Sequence, residues 1–201
     1  MPPMHSPISD AALETLFRGA RTHYFWTDTP VDDTLLQRLY ELTALPPTAA
    51  NGQPLRVVFL KSPEAKKRLL PSLFPGNEKK IMAAPVTAIL AWDRLFYEHL
   101  PLLSPHVDAR SWYAGEERAS LAEITAFRSG CLQGGYFILA ARALGLDCGP
   151  ISGFDNDTLD REFFPDGRFK SNFLCNLGVG DPAKLFPRAP RLDFATACAV
   201  L

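Results

Sequence analysis

Apolar residues recur at three- and four-residue spacing along several separated stretches of this chain, and most of those stretches open on a residue suited to capping a helix. Ser9 and Asp10 open the first, in which Leu13, Leu16, Phe17 and Ala20 line one face. The second is predicted from Asp32, with Leu35, Leu36, Leu39 and Leu42 on its buried side. Pro46-Pro47 stops it, because proline carries no amide hydrogen for the next turn. Ser62-Pro63-Glu64 caps and opens a third helix through Leu70. Residues 121–144 form the longest predicted helix, and from Gly130 onward its sequence is apolar almost all round, the pattern of a helix covered on every side. Gly134-Gly135 inside it costs on the order of 1 kcal/mol per glycine relative to alanine. A close helix–helix approach offsets that cost, and a dimer interface is the obvious candidate. Gly145 ends this helix, and Asp155 sits where it caps another over residues 156–164.

Between the helices lie short β-branched and aromatic runs. Residues 56–61, 86–92, 146–152 and 172–180 read as strands, the second of them buried throughout. Residues 93–118 are aromatic, charged and interrupted by proline, and read as an insertion or lid over a site, helical in part. The Pro-rich residues 1–8 read as a loose tail, and residues 181–201 contain too little to fold alone and must pack against something. Helices mixed irregularly with short strands indicate the α+β class, a central sheet covered by helices on both sides.

The bulk numbers narrow the possibilities. A chain of 201 residues fits a single domain, residues 1–201, that buries roughly 70% of the surface its unfolded form exposes, without metal or disulfide staples. A net charge of −1 gives no general attraction to nucleic acid or acidic lipid, so any anion must be held by a local cluster of positive groups. Cys131, Cys148, Cys175 and Cys198 have no C-x-x-C spacing and read as small core residues. Neither a secretory signal nor an apolar run of membrane-spanning length is evident, so the expected setting is cytoplasmic and reducing.

Two loops stand apart from the periodic pattern: Pro47-Thr48-Ala49-Ala50-Asn51-Gly52-Gln53-Pro54 and Gly149-Pro150-Ile151-Ser152-Gly153-Phe154-Asp155. Glycine and proline gather where a backbone turns tightly and approaches something closely. With a helix opening at Asp155, the Ser152 and Gly153 amides lie just before its N-terminus, where exposed N–H groups suit an anionic or electron-rich ligand. Two such loops in one small chain argue for a cofactor site.

The same segments carry a resemblance. The first is similar to the P-S-x-x-N-x-Q-P segment of the FMN-dependent nitroreductase family and the second to its P-I-x-G-F segment. Gly76-Asn77-Glu78-Lys79-Lys80 and Pro187-Arg188-Ala189-Pro190-Arg191 match in the right order, so the likeness runs from about Ala20 to the C-terminus. Within the family the chain is most similar to the malonic semialdehyde reductase of the pyrimidine-utilisation pathway, through Ala20-Arg21-Thr22-His23, residues 96–112 and residues 141–147. The resemblance implies a three-layer α/β/α sandwich with a mixed, mainly antiparallel sheet and an extended tail wrapping the partner of a homodimer.

It also implies roles. Arg21, Arg188 and Arg191 correspond to the family's phosphate cluster, a task suited to guanidinium because its contacts are bidentate and charge-assisted. On composition alone the same arginines read as solvated surface. Thr22 keeps a hydroxyl where the family has serine, and His23 stands open between a phosphate or ribityl contact and none. The family's first and last basic positions are Ala20 and Tyr24 here. Asn77 and Lys80 share a helix face and correspond to residues at the flavin N1/O2 edge, where a cation stabilises the charge of reduction. Thr48 and Asn51 correspond to contacts from the other subunit. Pro150, Ile151, Ser152 and Gly153 bring backbone N–H groups to flavin N5 and O4; Ser152 stands where other members carry Glu, so only the backbone role carries over.

Other constellations fail. Gly178-Val179-Gly180 lacks the third glycine and the helix of a dinucleotide fingerprint. Ser152 has no G-x-S-x-G around it, and His5, His23, His99 and His106 lack paired metal spacing. Phe96, Tyr97, Trp112 and Tyr113 read as core or lid packing, while His106, Arg110 and Tyr113 could instead offer charge and hydrogen bonds to a small carboxylate. The expected function is an FMN-dependent reductase using NADH or NADPH, with hydride passing through flavin N5 by ping-pong kinetics and no catalytic side chain of its own. The resemblance implies malonic semialdehyde, giving 3-hydroxypropionate, as substrate. A nitroaromatic or quinone acceptor, and a flavin-binding dimer without turnover, are the alternatives.

Overall fold

The computed structural model describes residues 6–201; residues 1–5, the start of the expected loose tail, lie outside the described residues. Four strands, β1 (Leu55–Leu60), β2 (Val86–Asp93), β3 (Asp147–Ile151) and β4 (Phe169–Gly178), form one sheet in the order β1-β2-β4-β3. Its ladders are antiparallel, and a single parallel bridge joins Thr22 to Cys148 at the β3 edge. The uninterrupted apolar run of β2 follows from its central place. Val86, Ala88 and Leu90 face one side, and Ile89 and Ala91 the other.

On the first face lie α2 (Asp33–Thr43) and α6 (Ala119–Ala143), packing Leu36, Leu39, Phe137 and Ala141 onto the sheet. On the second lie α3 (Pro63–Lys67), α4 (Glu78–Ala83) and α7 (Asn156–Phe163), with Leu69 just beyond α3, Ile81 and Leu159 beneath them. This is the expected three-layer arrangement. Helix α1 (Asp10–Leu13) continues as a π turn to Arg18, α5 (Leu100–Leu103) lies within residues 93–118, and α8 (Phe194–Ala197) within the tail. Ser9, Asp32, Ser62 and Asp155 all cap as expected, each side chain accepting the amide three residues on at 2.7–3.2 Å. Among the described residues no helix is long and apolar enough to cross a membrane.

Several expectations are corrected. Leu42 is 39% exposed; Thr43 turns inward in its place and donates its hydroxyl to Leu39 O at 2.7 Å. Helix α3 stops at Lys67 and tightens into a 3₁₀ turn at Leu70–Ser72, where Pro71 cannot supply the next amide hydrogen. Helix α6 is not covered on every side from Gly130 onward by its own chain: Leu132 and Tyr136 stay exposed, continuing a stripe that begins with Leu121, Ile124 and Phe127. Gly134 makes a close approach to the sheet rather than to a helix, since a Cβ there would lie 2.7 Å from the Phe173 ring. Gly135 alone faces the open stripe.

Residues 93–118 are helical in part, and they build a third cluster of Trp92, Phe96, Leu100, Ala109 and Tyr113 against Ala122 and Ala126 of α6. The 48–53 loop docks on it. A Cβ on Gly52 would lie 2.5 Å from the Phe96 ring, and Ala50, Asn51 and Gln53 adopt left-handed φ of 52°, 55° and 42°, a strain that only surrounding contacts sustain. Where β2 leaves the sheet, buried Asp93 accepts Arg56 at 2.8 Å and Arg168 through two bonds of 3.0 Å. This bidentate pairing holds the Arg168 guanidinium above its ordinary range, chiefly through the Asp93 hydrogen bonds.

Hydrogen bonding with the Cys148 thiol, and then burial, pushes the Cys175 thiol well above its ordinary 9.0. Its contribution to stability is therefore full below pH 9.0 and is lost as the pH rises. Burial moves Lys66 the opposite way, below 10.5, so its contribution improves with pH over the same range. Comparing wild type with Cys175→Ala cancels the Lys66 effect. Between pH 8 and pH 10, order-of-magnitude markers either side of an ordinary thiol pKa, the urea midpoint of wild type should fall further than that of the variant. Equal slopes would remove the assignment.

Candidate functional site

The two glycine- and lysine-bearing motifs meet in space because the loop after β3 is fastened to the turn before α4. Phe74 N donates to Gly153 O at 3.0 Å, Asp155 N to Ser72 O at 2.7 Å, and Leu73 bridges Phe154. Asn77 Nδ2 donates to the same Gly153 carbonyl at 2.8 Å. A Cβ at residue 153 would sit 2.5 Å from that nitrogen, so the contact requires glycine. The other end of the amide, Asn77 Oδ1, accepts Lys80 Nζ at 3.0 Å. The expected face-sharing of residues 77 and 80 is thus a direct hydrogen bond. Behind them, fully buried Asn176 donates to Lys80 O at 2.9 Å and accepts the Thr87 hydroxyl at 2.7 Å, pinning α4 to β2 and β4.

The tract continues through residues far apart in sequence. Lys80 Nζ stands 4.7 Å from the centroid of the Tyr24 ring, which meets the Phe186 ring at 61° with centroids 6.2 Å apart. Arg21 Nη2 donates to Phe186 O. Arg188 Nη2 donates to Arg18 O at 2.5 Å and Ala20 O at 2.9 Å. Gly153, Asn77, Lys80, Arg21 and Arg188 therefore lie along one path of contacts.

The edge of β3 completes it. His23 N donates to Cys148 O at 3.0 Å, so the Cys148 backbone faces away from β4. By the two-residue alternation of a strand, residues 150 and 152 face the same way. Pro150 costs no ladder bond there, since its nitrogen points off the edge. The Ser152 and Gly153 amides donate to no protein acceptor among the described residues. Hydrogen bonds from Thr158, side chain first and then backbone, hold the Asp155 carboxyl below its ordinary 3.8, so it remains an ionised cap on α7.

The remaining candidates divide. Thr22 is exposed beside Cys148 at the same edge. His23 is 6% exposed, its Nε2 3.5 Å from Asp147 and its ring packed on Gly180. Ile151 points into the second core, leaving only its backbone at the surface. Arg191 is exposed and bonded within its own loop to Ala189 and Pro190 carbonyls. Thr48 and Asn51 belong to the strained loop that docks on residues 93–118; Asn51 Nδ2 donates to Leu103 O at 2.8 Å and the Thr48 hydroxyl accepts Gln53 N at 3.2 Å. None of these bonds reaches the Lys80 tract. His106 and Arg110 are exposed, and Arg110 lines a hollow of about 290 Å³ with Pro101, Pro105, Val107 and Asp108. Tyr113 is corrected: at 9% exposure its ring packs on Phe96 with centroids 5.1 Å apart, a core member of the 93–118 segment.

Sequence reasoning passed over Tyr24, Asn176 and Phe186. The signal for Tyr24 was visible as a missing basic residue, but an aromatic face can hold a cation instead. Chemically, the tract offers guanidinium groups, an ammonium fixed by an amide oxygen, and two unspent amides at a sheet edge. That set fits a phosphorylated ligand with a planar polar ring, and the Gly153 contact leaves the backbone free of side chain where such a ring would lie.

Residues 17–179 match the Nitroreductase family. A Burkholderia lata protein with the provisional name NADH dehydrogenase/NAD(P)H nitroreductase is 61% identical over 187 residues, 93% of this chain and 95% of that protein. One from Ralstonia nicotianae with the same provisional name is 54% identical, covering 96% of this chain and 98% of its own. Among solved structures, a provisionally named nitroreductase from Exiguobacterium sibiricum in complex with FMN superposes with a TM-score of 0.83, covering 98% of this chain and 99% of its own at 19% identity, a likeness of fold.

Proposed function

This chain belongs to the nitroreductase family, and from that premise we propose that it is a cytoplasmic FMN-dependent NAD(P)H oxidoreductase, a homodimer that reduces malonic semialdehyde to 3-hydroxypropionate. The observation that carries the cofactor reading is the single path of contacts joining Arg188, Arg21, Lys80, Asn77 and Gly153. Arg21 and Arg188 spend donors on backbone carbonyls, which phosphate oxygens replace with stronger, charge-assisted partners. Arg191, three residues further along the same loop, joins them. Lys80 and Asn77 meet the pyrimidine edge, and the Ser152 and Gly153 amides the edge that bears N5 and O4. When bound, FMN supplies the two-electron carrier between NADH or NADPH and the oxidised substrate.

Three features support the dimer. Helix α6 keeps an exposed apolar stripe around a groove of about 610 Å³. The tail exposes Phe186, Leu192, Phe194, Val200 and Leu201, a composition unsuited to water. Thr48 and Asn51 make no bond to the Lys80 tract of their own chain, so contact with the cofactor falls to Thr48 and Asn51 of the partner subunit. Four free thiols suit a reducing cytoplasm.

The substrate reading rests on the similarity of residues 96–112, on Arg110, an exposed cation at the hollow, and on His106, exposed in the same segment. Asp108 shares that hollow but is engaged as the acceptor of Ser111 N at 3.3 Å. The test is anaerobic mixing of the purified yellow protein with NADH or NADPH, followed by addition of acceptors. Bleaching, then recovery of colour with malonic semialdehyde and parallel double-reciprocal plots, is the expected result. Recovery with nitroaromatics or quinones but not with the aldehyde would keep the oxidoreductase and replace its substrate. A yellow dimer that neither nicotinamide bleaches would leave a flavin-binding protein without turnover.

A further inference from the structure

We infer that Tyr24 is a positioning residue for Lys80: its ring holds the ammonium in place at the pyrimidine edge of the bound flavin. The inference rests on the cofactor reading above. Lys80 makes no ion pair among the described residues. Its charge is held by two neutral groups, Asn77 Oδ1 at 3.0 Å and the Tyr24 ring at 4.7 Å. A carboxylate in either place would cancel the charge; an amide oxygen and a π face orient it and leave it available to an incoming anion. Tyr24 is itself held. The next backbone amide toward the N-terminus, His23 N–H, is tied to Cys148 O at 3.0 Å, and the Phe186 ring of the tail meets the Tyr24 ring at 61°, centroids 6.2 Å apart. The ring is half-buried, which strengthens an attraction between cation and π face relative to one in open water.

The ammonium favours the reduced, more negative flavin over the oxidised one, so loosening it alters the ratio of the two affinities. The experiment is an equilibrium dye titration of the midpoint potential of the FMN-loaded dimer, with fluorescence titration of oxidised FMN. For Tyr24→Leu, reduced FMN should bind about 2- to 30-fold more weakly relative to oxidised FMN, the range of a cation–π contact, and the potential should fall. Tyr24→Phe, which keeps the ring, should match wild type. Lys80→Met should lower the potential, and adding Tyr24→Leu to it should change nothing further. If Tyr24→Leu does not fold, Tyr24→Met, which fills similar space without a π face, carries the same expectation. A wild-type potential in the ring-less variant, beside a lowered one in Lys80→Met, would overturn the role of Tyr24 alone, as would Tyr24→Phe behaving like Tyr24→Leu. An unchanged potential in Lys80→Met would instead remove Lys80 from the flavin, and this inference with it.

Discussion

Asp93→Asn is expected to lower the free energy of unfolding by about 3 kcal/mol, the largest single loss of stability among the substitutions considered. The Asp93 side chain is 1% exposed and pairs with two guanidiniums, Arg56 at 2.8 Å and Arg168 at 3.0 Å; Arg168 has a second, longer partner in Glu98 at 3.6 Å. Removing one partner of a buried pair costs about 3–5 kcal/mol because the other charge stays behind unpaired. The lower end applies here, since Arg56 and Arg168 keep 26% and 31% of their side-chain surface in water. Asparagine is close in size, so the loss reports charge rather than a cavity. Natural domains have only about 5–15 kcal/mol in hand, which makes the effect easy to read in urea. The midpoint should drop at an unchanged slope. A drop below about 1 kcal/mol would mean that the arginines find solvent readily and that the cluster is a surface feature.

The second large effect concerns binding. On the proposed reading, Arg21→Ala combined with Arg188→Ala should weaken FMN by roughly 10²–10⁴-fold, from about 1.5–3 kcal/mol for each lost charge-assisted contact. Stability should change little, because both side chains lie at the surface and bond only to the carbonyls of Phe186, Arg18 and Ala20. Riboflavin, which lacks the phosphate, is the decisive control. Its affinity should be the same in wild type and the double variant, and weaker than that of FMN in wild type alone. Equal loss for both ligands would show that the two arginines support the loop and do not grip a phosphate.

What the sequence made legible was local. Ser62-Pro63-Glu64 and Asp155 announced helix starts because a capping oxygen acts within three residues of itself. The unbroken apolar run of β2 announced a strand covered on both faces. Asn77 and Lys80 could be paired because a helix repeats on a known period. Less legible were features that depend on where a face ends up. From Gly130 onward the sequence of α6 is apolar almost all round, yet apolar residues serve a core and an interface equally, and Leu132 and Tyr136 stay open on this chain. Leu42 and Thr43 exchanged places for the same reason: one residue of helix rotation decides which is covered. The Asp93 cluster left no pattern at all, since Arg56 and Arg168 lie 37 and 75 residues from it in the chain. Residues 93–118 read as partly helical in sequence, but the satellite core they build, with Tyr113 inside, follows only from the contacts.

Ala20 and Arg188 are 168 residues apart, and that separation sets a schedule for biogenesis. A ribosome adding roughly 5–20 residues per second needs on the order of ten to thirty seconds to travel between them, and the later arginine must then clear the exit tunnel. The β2 strand and the caps of the early helices are available long before, but the clasp between the two ends of the chain is among the last things to form.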